Sequence, residues 1–398
     1  MDPTSSGLSF EVRATSGHAR AGVLHTRHGD LLTPAFQPVA TQSSVKALTA
    51  EDVHDTGARI VIMNTYHLWL RPGPELVAEQ GGLHAFSHWP HVITTDSGGF
   101  QAFSLGEFVK LSERGFAFKS HLDGKKLLLT PEEAMRVQGL LGSDIAMQLD
   151  VCPKGGSPRP ELVEAVDRTL RWGERCLAAK AKEQALFGIV QGGTDIELRL
   201  RHAEEIAKQP FDGIALGGFS VGEPIADMYR VLSELGPAVD PRRPHYLMGV
   251  GTPEDIVRAI GWGVDLFDCV MPTRNARNGQ VFVNDGRIVI KNSRYRNDPL
   301  PLDPDCGCFT CRKGYSRSYL RHLYVAQELT IYRLLSLHNL WFYADLVARA
   351  RAAIERGQFA EWQTATLERF RRGGAPNDGT EGEETGPALL PRASDESP

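Results

Sequence analysis

Cys306, Cys308 and Cys311 stand two and three residues apart, and His338 follows in a helical stretch downstream. Thiolates at that spacing fold onto one ion, and an imidazole supplies the fourth corner of a tetrahedron, a donor set suited to Zn2+. A Cys3His set is saturated and leaves no position for a reacting water, so one structural zinc is expected. Catalysis must come from elsewhere. Asp96, Asp150 and Asp268 stand in or at the ends of short apolar runs, and glycine pairs stand at the ends of such runs at Gly98-Gly99, Gly192-Gly193 and Gly217-Gly218. Carboxylates brought together raise one another's pKa, so one can carry a proton while another stays ionised. Paired carboxylates flanking an anomeric carbon serve glycosidic chemistry through a covalent intermediate. Asp, Gln and glycine N–H groups also match the amide-like edge of a purine. A single aspartate at a strand end is often only a helix cap, but three beside paired glycines suggest a site.

Such groups need elements that bring them together. Apolar, β-branched runs recur at 35–41, 59–66, 92–97, 144–150, 185–191, 213–219, 245–251 and 266–271, the pattern of parallel strands buried on both faces. Helical patterns lie between them at 45–55, 131–141, 160–181, 195–209 and 253–262, with Thr130 and Thr252 as caps before prolines. These units predict an α/β fold, a (β/α)8 TIM-type barrel, whose chemistry gathers where strands end and the following loops begin. An open doubly wound sheet is the rival, but no phosphate-binding glycine fingerprint follows the first strand. Residues 8–33 are expected to form an N-terminal pair of strands, 104–130 inserted β-hairpins, and 278–340 a zinc-binding subdomain near the C-terminus. The barrel with this insertion is expected over 8–372. Residues 373–398 are expected to be a disordered acidic tail.

The 398 residues are 41% apolar, enough for a large core. No apolar run reaches the roughly 18 residues of a membrane span, and the first ten residues lack a basic-then-apolar leader, so neither membrane nor export is expected. Six cysteines, three of them clustered, point to reduced thiols and a cytoplasmic location. The net charge of −5 argues against a nucleic-acid partner until it is located. Residues 374–398 carry six acids and one base, which leaves the body about neutral. Residues 271–322 hold ten Lys/Arg against four acids, a surface suited to phosphates.

Three stretches carry a family likeness: Asp96-Ser97-Gly98-Gly99-Phe100-Gln101, Asp268-Cys269-Val270-Met271-Pro272-Thr273-Arg274, and the cysteine cluster with His338. From about residue 8 to 370 the chain resembles the bacterial tRNA-guanine transglycosylases, or queuine tRNA-ribosyltransferases. The resemblance implies a base exchange at the anticodon wobble position, a step in queuosine modification. Asp268 would attack the anomeric carbon and form a covalent ribose adduct, and Asp96 would handle the proton at the base. Guanine would leave and 7-aminomethyl-7-deazaguanine, a 7-deazaguanine base, would replace it. Asp150, Gln191 and the amides of Gly218 and Phe219 would read the base edge. Ser97, Gly98, Gly99, Cys152 and Gly217 would line the pocket, and Phe100 and Met248 would sandwich the base. Ordinary barrel core is the plain alternative for those two side chains. Val221 stands where queuine users have glycine, and Cys152 where they have valine, which favours the small amine over bulky queuine.

The resemblance also implies contacts to the anticodon loop from Gly249, Val250, Gly251, Thr252, Pro253, Glu254 and Asp255, and from Thr273, Arg274, Asn275, Ala276 and Arg277. The substrates would be tRNAs with GUN anticodons (Asp, Asn, His, Tyr), with the target nucleotide flipped out, and the enzyme a homodimer. There are departures. The wording of Gln148-Leu149-Asp150-Val151-Cys152-Pro153 differs from the commoner bacterial one, and an extra residue, Gly314, lengthens the span to His338 and makes His322 a rival ligand. Two other readings compete: a catalytically silent tRNA-binding zinc protein, and a retaining N-glycoside hydrolase. Intact Asp96 and Asp268 oppose the first; the zinc segment and basic loop oppose the second.

Overall fold

Eight parallel strands close on themselves in the computed structural model, which describes residues 6–105 and 107–373. They are β1 (Ala35–Ala40), β2 (Ile60–Met63), β3 (Val92–Thr95), β4 (Ile145–Met147), β5 (Ala185–Val190), β6 (Gly213–Leu216), β7 (His245–Leu247) and β8 (Leu266–Cys269). β8 pairs with β1 through Leu266–Ala35 to Cys269–Pro38, which completes a TIM-type barrel ringed by helices. The expected tail lies outside the described residues, except Gly373, which ends the last helix.

Every observed strand is shorter at its C-terminal end than its apolar run. The ladders stop at Thr95, Met147, Val190 and Leu247, so Asp96, Asp150, Gln191 and Met248 sit on the rim. There they line the mouth, although the N–H groups of Asp96 and Met248 still bond the Met63 and Leu216 carbonyls of neighbouring strands. Asp268 alone stays in its ladder, opposite Gln37 of β1. The interior holds Ile62, Met147, Phe187, Ile189, Tyr246 and Leu266. A Cβ at Gly213 would stand 2.4 Å from the Phe187 ring, so glycine there leaves room for the phenyl group.

Thr130 and Thr252 cap Pro131–Leu141 and Pro253–Gly261 as expected, each accepting an N–H three residues on. The expected helix at 45–55 is cut to Ala50–Asp55. Ser43 and Ala47 adopt left-handed φ of 59° and 66°, and a capping box between Thr49 and Asp52 starts the helix late. The N-terminal pair is a three-stranded antiparallel sheet, Ser9–Ser16, Ala19–Thr26 and Gly29–Thr33. Its Leu24 and Leu31 plug the base of the barrel. Arg20 of the same sheet forms a buried two-nitrogen pair with Asp265. Nearby, Asp144 accepts from both His28 and His84, whose rings stack 3.5 Å apart. After β3, three antiparallel strands (Glu107–Ser112, Gly115–Lys119, Lys126–Leu129) form the expected hairpin insertion.

Beyond β8 a smaller core gathers around Val281, Ile288, Ile290, Leu302 and the cysteine cluster. The 26-residue helix Thr330–Glu355 joins the two cores. Leu334 and Leu335 enter the small one, and Tyr343, Leu346 and Ala350 enter the barrel's. Being buried on most of its faces, it fixes one core against the other.

Candidate active site and metal centre

Asp96 leaves β3 into a cluster of donors. Its Oδ1 accepts from the N–H groups of Thr65 and Gly98 at 2.9 and 3.1 Å, and its Oδ2 from the Asn64 amide at 2.5 Å. Burial, with the charge of Asp268 nearby, still lifts its carboxyl to about 7. Asp268 accepts the Tyr246 hydroxyl at 2.6 Å and the Gly249 N–H at 2.7 Å, both on Oδ1. Among the described residues nothing donates to its Oδ2. Burial raises this carboxyl too, opposed by those two bonds. Asp150 accepts from Gln191 Nε2 at 2.7 Å and is pushed up to about 6 by burial.

All three carboxylates face one cavity of about 420 Å³. Ser97, Gly98, Phe100, Cys152, Gln191, Gly217, Gly218, Phe219 and Met248 line it, as does Val221. Gly99 lies in an adjoining hollow of about 580 Å³ that shares Phe100, Asp150 and Cys152 with the first. Phe100 is 51% exposed, unlike a core phenylalanine, whereas Phe219 is 4% exposed and offers its backbone rather than its ring. Burial holds the thiols of Cys152 and Cys269 up at about 12, so neither is a thiolate nucleophile, and Cys176 is a fully buried apolar filler. The arrangement suits a flat ligand with polar edges, held beside one carboxyl that can carry a proton and another with a free oxygen.

Tyr246 and Arg199 were not legible as site residues, although each left a signal. Tyr246 precedes Met248 by two, the inward register of β7. Arg199 and His202 interrupt the buried stripe of Ile196–Lys208 otherwise made by Leu198, Ala203 and Ile206. Fully buried, the Arg199 guanidinium bonds the carbonyls of Val190, Gly193, Gly217 and Gly218 at 2.6–3.2 Å, and it lies 3.8 Å over the Phe219 ring. Burial drops its pKa to about 9. His202 Nδ1 accepts the Gln191 N–H at 2.9 Å, and burial takes it down to about 4, a neutral acceptor.

The residues expected at RNA divide into two sets. Gly249 and Arg274 line the cavity, and Arg274 is exposed beside exposed Val270. Arg277 is half-buried and donates to the Thr273 carbonyl at 2.9 Å, while Asn275 donates to Gln280. Val250, Pro253, Thr273 and Ala276 are buried, and Gly251 packs its Cα against Cys269. Thr252 and Asp255 are spent on a capping box, with Asp255 also accepting from Tyr229, and Glu254 pairs with Arg258. These bonds hold the shape of the loops after β7 and β8.

Cys306, Cys308, Cys311 and His338 are buried together with their ligand atoms within 4.8 Å of one another, a group that can hold a metal ion. His338 Nδ1 stands 3.4–3.6 Å from the three sulfurs, and its Nε2 donates to the Phe282 carbonyl at 2.7 Å, which leaves Nδ1 bare for a cation. N–H groups of Cys308 and Cys311 point at sulfur, and the neighbouring thiols pull the Cys308 thiol down while raising that of Cys306. The rival His322 sits exposed on Arg317–Val325, outside the group. One residue past His338, Asn339 bonds the Pro272 and Gln280 carbonyls, and Tyr343 bonds the Gly251 carbonyl. The metal-site helix therefore braces the loops after β7 and β8.

Fold and site together define a barrel with three carboxylates on one cavity at its rim. A family model described as queuine tRNA-ribosyltransferase matches residues 15–372. Curated queuine tRNA-ribosyltransferases align along nearly the whole chain. That of Sorangium cellulosum is 65% identical over 361 residues, 91% of this chain and 92% of its own. That of Nitratidesulfovibrio vulgaris is 52% identical over 358 residues (89% and 95%), and one from Neisseria meningitidis is 48% identical over 371 (92% and 99%). The chain belongs to the queuine tRNA-ribosyltransferase family and is a pentosyltransferase, a tRNA-guanine transglycosylase of queuosine modification.

Proposed function

We propose that this enzyme exchanges guanine for 7-aminomethyl-7-deazaguanine at the wobble position of tRNA through a covalent adduct on Asp268. The observation that carries the reading is the split between two carboxylates on one cavity. Asp268 has one oxygen fixed by Tyr246 and Gly249 and the other unengaged, while Asp96 is lifted to about 7. In the first step Asp268 Oδ2 bonds C1′, the bond from C1′ to the purine nitrogen breaks with its electron pair on guanine, and Asp96 supplies the proton. In the second the incoming base gives its proton to Asp96, attacks C1′ and displaces the carboxylate. Two displacements at one carbon retain its configuration. Asp150, Gln191 and the peptides at Gly217–Phe219 read the base edge, between Phe100 and Met248.

Val221 lines the cavity, and its side chain, in place of a glycine, favours the small amine over bulky queuine. The tRNA partners are those with GUN anticodons, held by Arg274 and Arg277 beside the mouth. The metal is zinc, held by Cys306, Cys308, Cys311 and His338; when bound it supplies a closed tetrahedral cross-link and no reacting ligand. A cytoplasmic homodimer with one barrel unit over 8–372 completes the proposal. No described helix is long and apolar enough to cross a membrane.

Purified protein incubated with tRNA and labelled guanine tests the chemistry. Exchange and a denaturation-resistant protein–RNA band are expected, and both should vanish in Asp268→Asn. Exchange at the parental rate by that variant would refute the covalent step. Queuine incorporated as efficiently as the aminomethyl base would refute the Val221 argument.

A further inference from the structure

We infer that Arg199, which touches no substrate, is the positioning residue that aims two backbone N–H groups at the carbonyl oxygen of the purine. The inference rests on the reading that the Gly217–Phe219 segment meets the base edge. A trans peptide unit points its C=O and its N–H in opposite directions. The Gly217 carbonyl shares a unit with the Gly218 N–H, and the Gly218 carbonyl with the Phe219 N–H. Arg199 Nη1 and Nη2 bond those two carbonyls at 2.9 and 3.2 Å from behind, so the two N–H groups face the other way. That way lies the cavity, which Gly217, Gly218 and Phe219 line. Neither N–H has an acceptor among the described residues.

The same guanidinium anchors the segment at three further points. It bonds Gly193 and Val190, at the end of the neighbouring strand, at 2.6 and 3.2 Å, and it covers the Phe219 ring at 3.8 Å. No carboxylate pairs with it among the described residues, so its charge acts on these peptides and polarises them. Gly218 itself has no slack: its φ is +69°, and an added Cβ would stand 2.2 Å from Gln191 Oε1. As the glycosidic bond breaks, the departing purine gathers negative charge on its carbonyl oxygen. Donors backed by a buried cation hold that charge more strongly than they hold the neutral base. Arg199 thereby serves both recognition and departure of guanine.

The test compares binding of guanine with binding of 2-aminopurine, which lacks the carbonyl oxygen, by the full-length parent, Arg199→Lys and Arg199→Gln. The parent should prefer guanine. In Arg199→Gln the preference should shrink about tenfold, through guanine alone, with kcat for exchange falling as well. Arg199→Lys should recover part of both, because the charge survives without the fork. Melting temperatures measured alongside separate this from general loosening, which would weaken both purines equally. A folded Arg199→Gln that keeps the parental preference overturns the inference, as does equal loss of both purines. If neither Arg199 variant folds, Phe219→Leu removes the ring beneath the guanidinium and keeps the backbone donor. It should narrow the preference two- to threefold, and an unchanged ratio overturns the inference there. A parent with no preference for guanine would instead refute the base-edge reading.

Discussion

Asp96→Asn separates what this site does from what it costs the fold. Burial and the nearby Asp268 charge lift the Asp96 carboxyl from 3.8 to about 7. The folded state therefore keeps a proton that the unfolded chain releases above about pH 4. A proton held more tightly by the folded state means stability lost as pH rises, here between about 4 and 7. The whole step is about 4 kcal/mol at ~1.36 kcal/mol per pH unit, of which about 2.6 kcal/mol falls between pH 5 and 8. Asp96 is only half-buried on the rim of the cavity, so solvent screening discounts this to roughly 1 kcal/mol. Asparagine cannot titrate, so the variant's curve lacks that component. Its amide brings a donor against either Asn64 or the Thr65 and Gly98 N–H groups, a penalty equal at both pH values that cancels in the comparison. Urea unfolding of parent and variant at about pH 5 and pH 8 reads the difference. The variant should gain roughly 1 kcal/mol on the parent between the two, while base exchange is lost throughout. Parallel curves would refute the raised carboxyl, and with it the assignment of Asp96 as the proton carrier.

Tyr246→Phe removes one of two bonds that favour ionised Asp268, a loss of about 1.5–3 kcal/mol for a charged acceptor. The acid limb of the rate profile should move to higher pH, with kcat down ten- to hundredfold in steady-state exchange. Gly218→Ala puts a methyl group against Gln191 at a left-handed backbone angle. Guanine binding measured by calorimetry should weaken at least about tenfold. Cys308→Ser should lose bound zinc by elemental analysis and melt at least about 5 °C lower, because the cluster braces the helix that holds Gly251 and Pro272. Arg277→Ala should weaken tRNA binding and flatten its log–log salt slope by about one; an unchanged slope would remove Arg277 from the interface.

The sequence by itself determined the periodic part of this protein. Alternating apolar runs and capped helices give a parallel barrel, because strands buried on both faces have few other solutions. Cysteine spacing marked a metal site, because thiolates so near in sequence cannot avoid one another. The rim residues were legible for the same local reason, since each polar end follows directly on an apolar strand. Tertiary structure decided what no local pattern encodes. It chose His338 over His322, because one faces the cysteine loop and the other faces outward on its helix. It cut short the helix at 45–55, where left-handed Ser43 and Ala47 and the Thr49 cap overrode the helical pattern. It also brought Tyr246 to Asp268 across 22 residues, and Arg199 behind peptides 18 and 19 residues away. Such pairings depend on which side chains share a layer of the closed barrel, and the chain acquires those layers only when β8 meets β1.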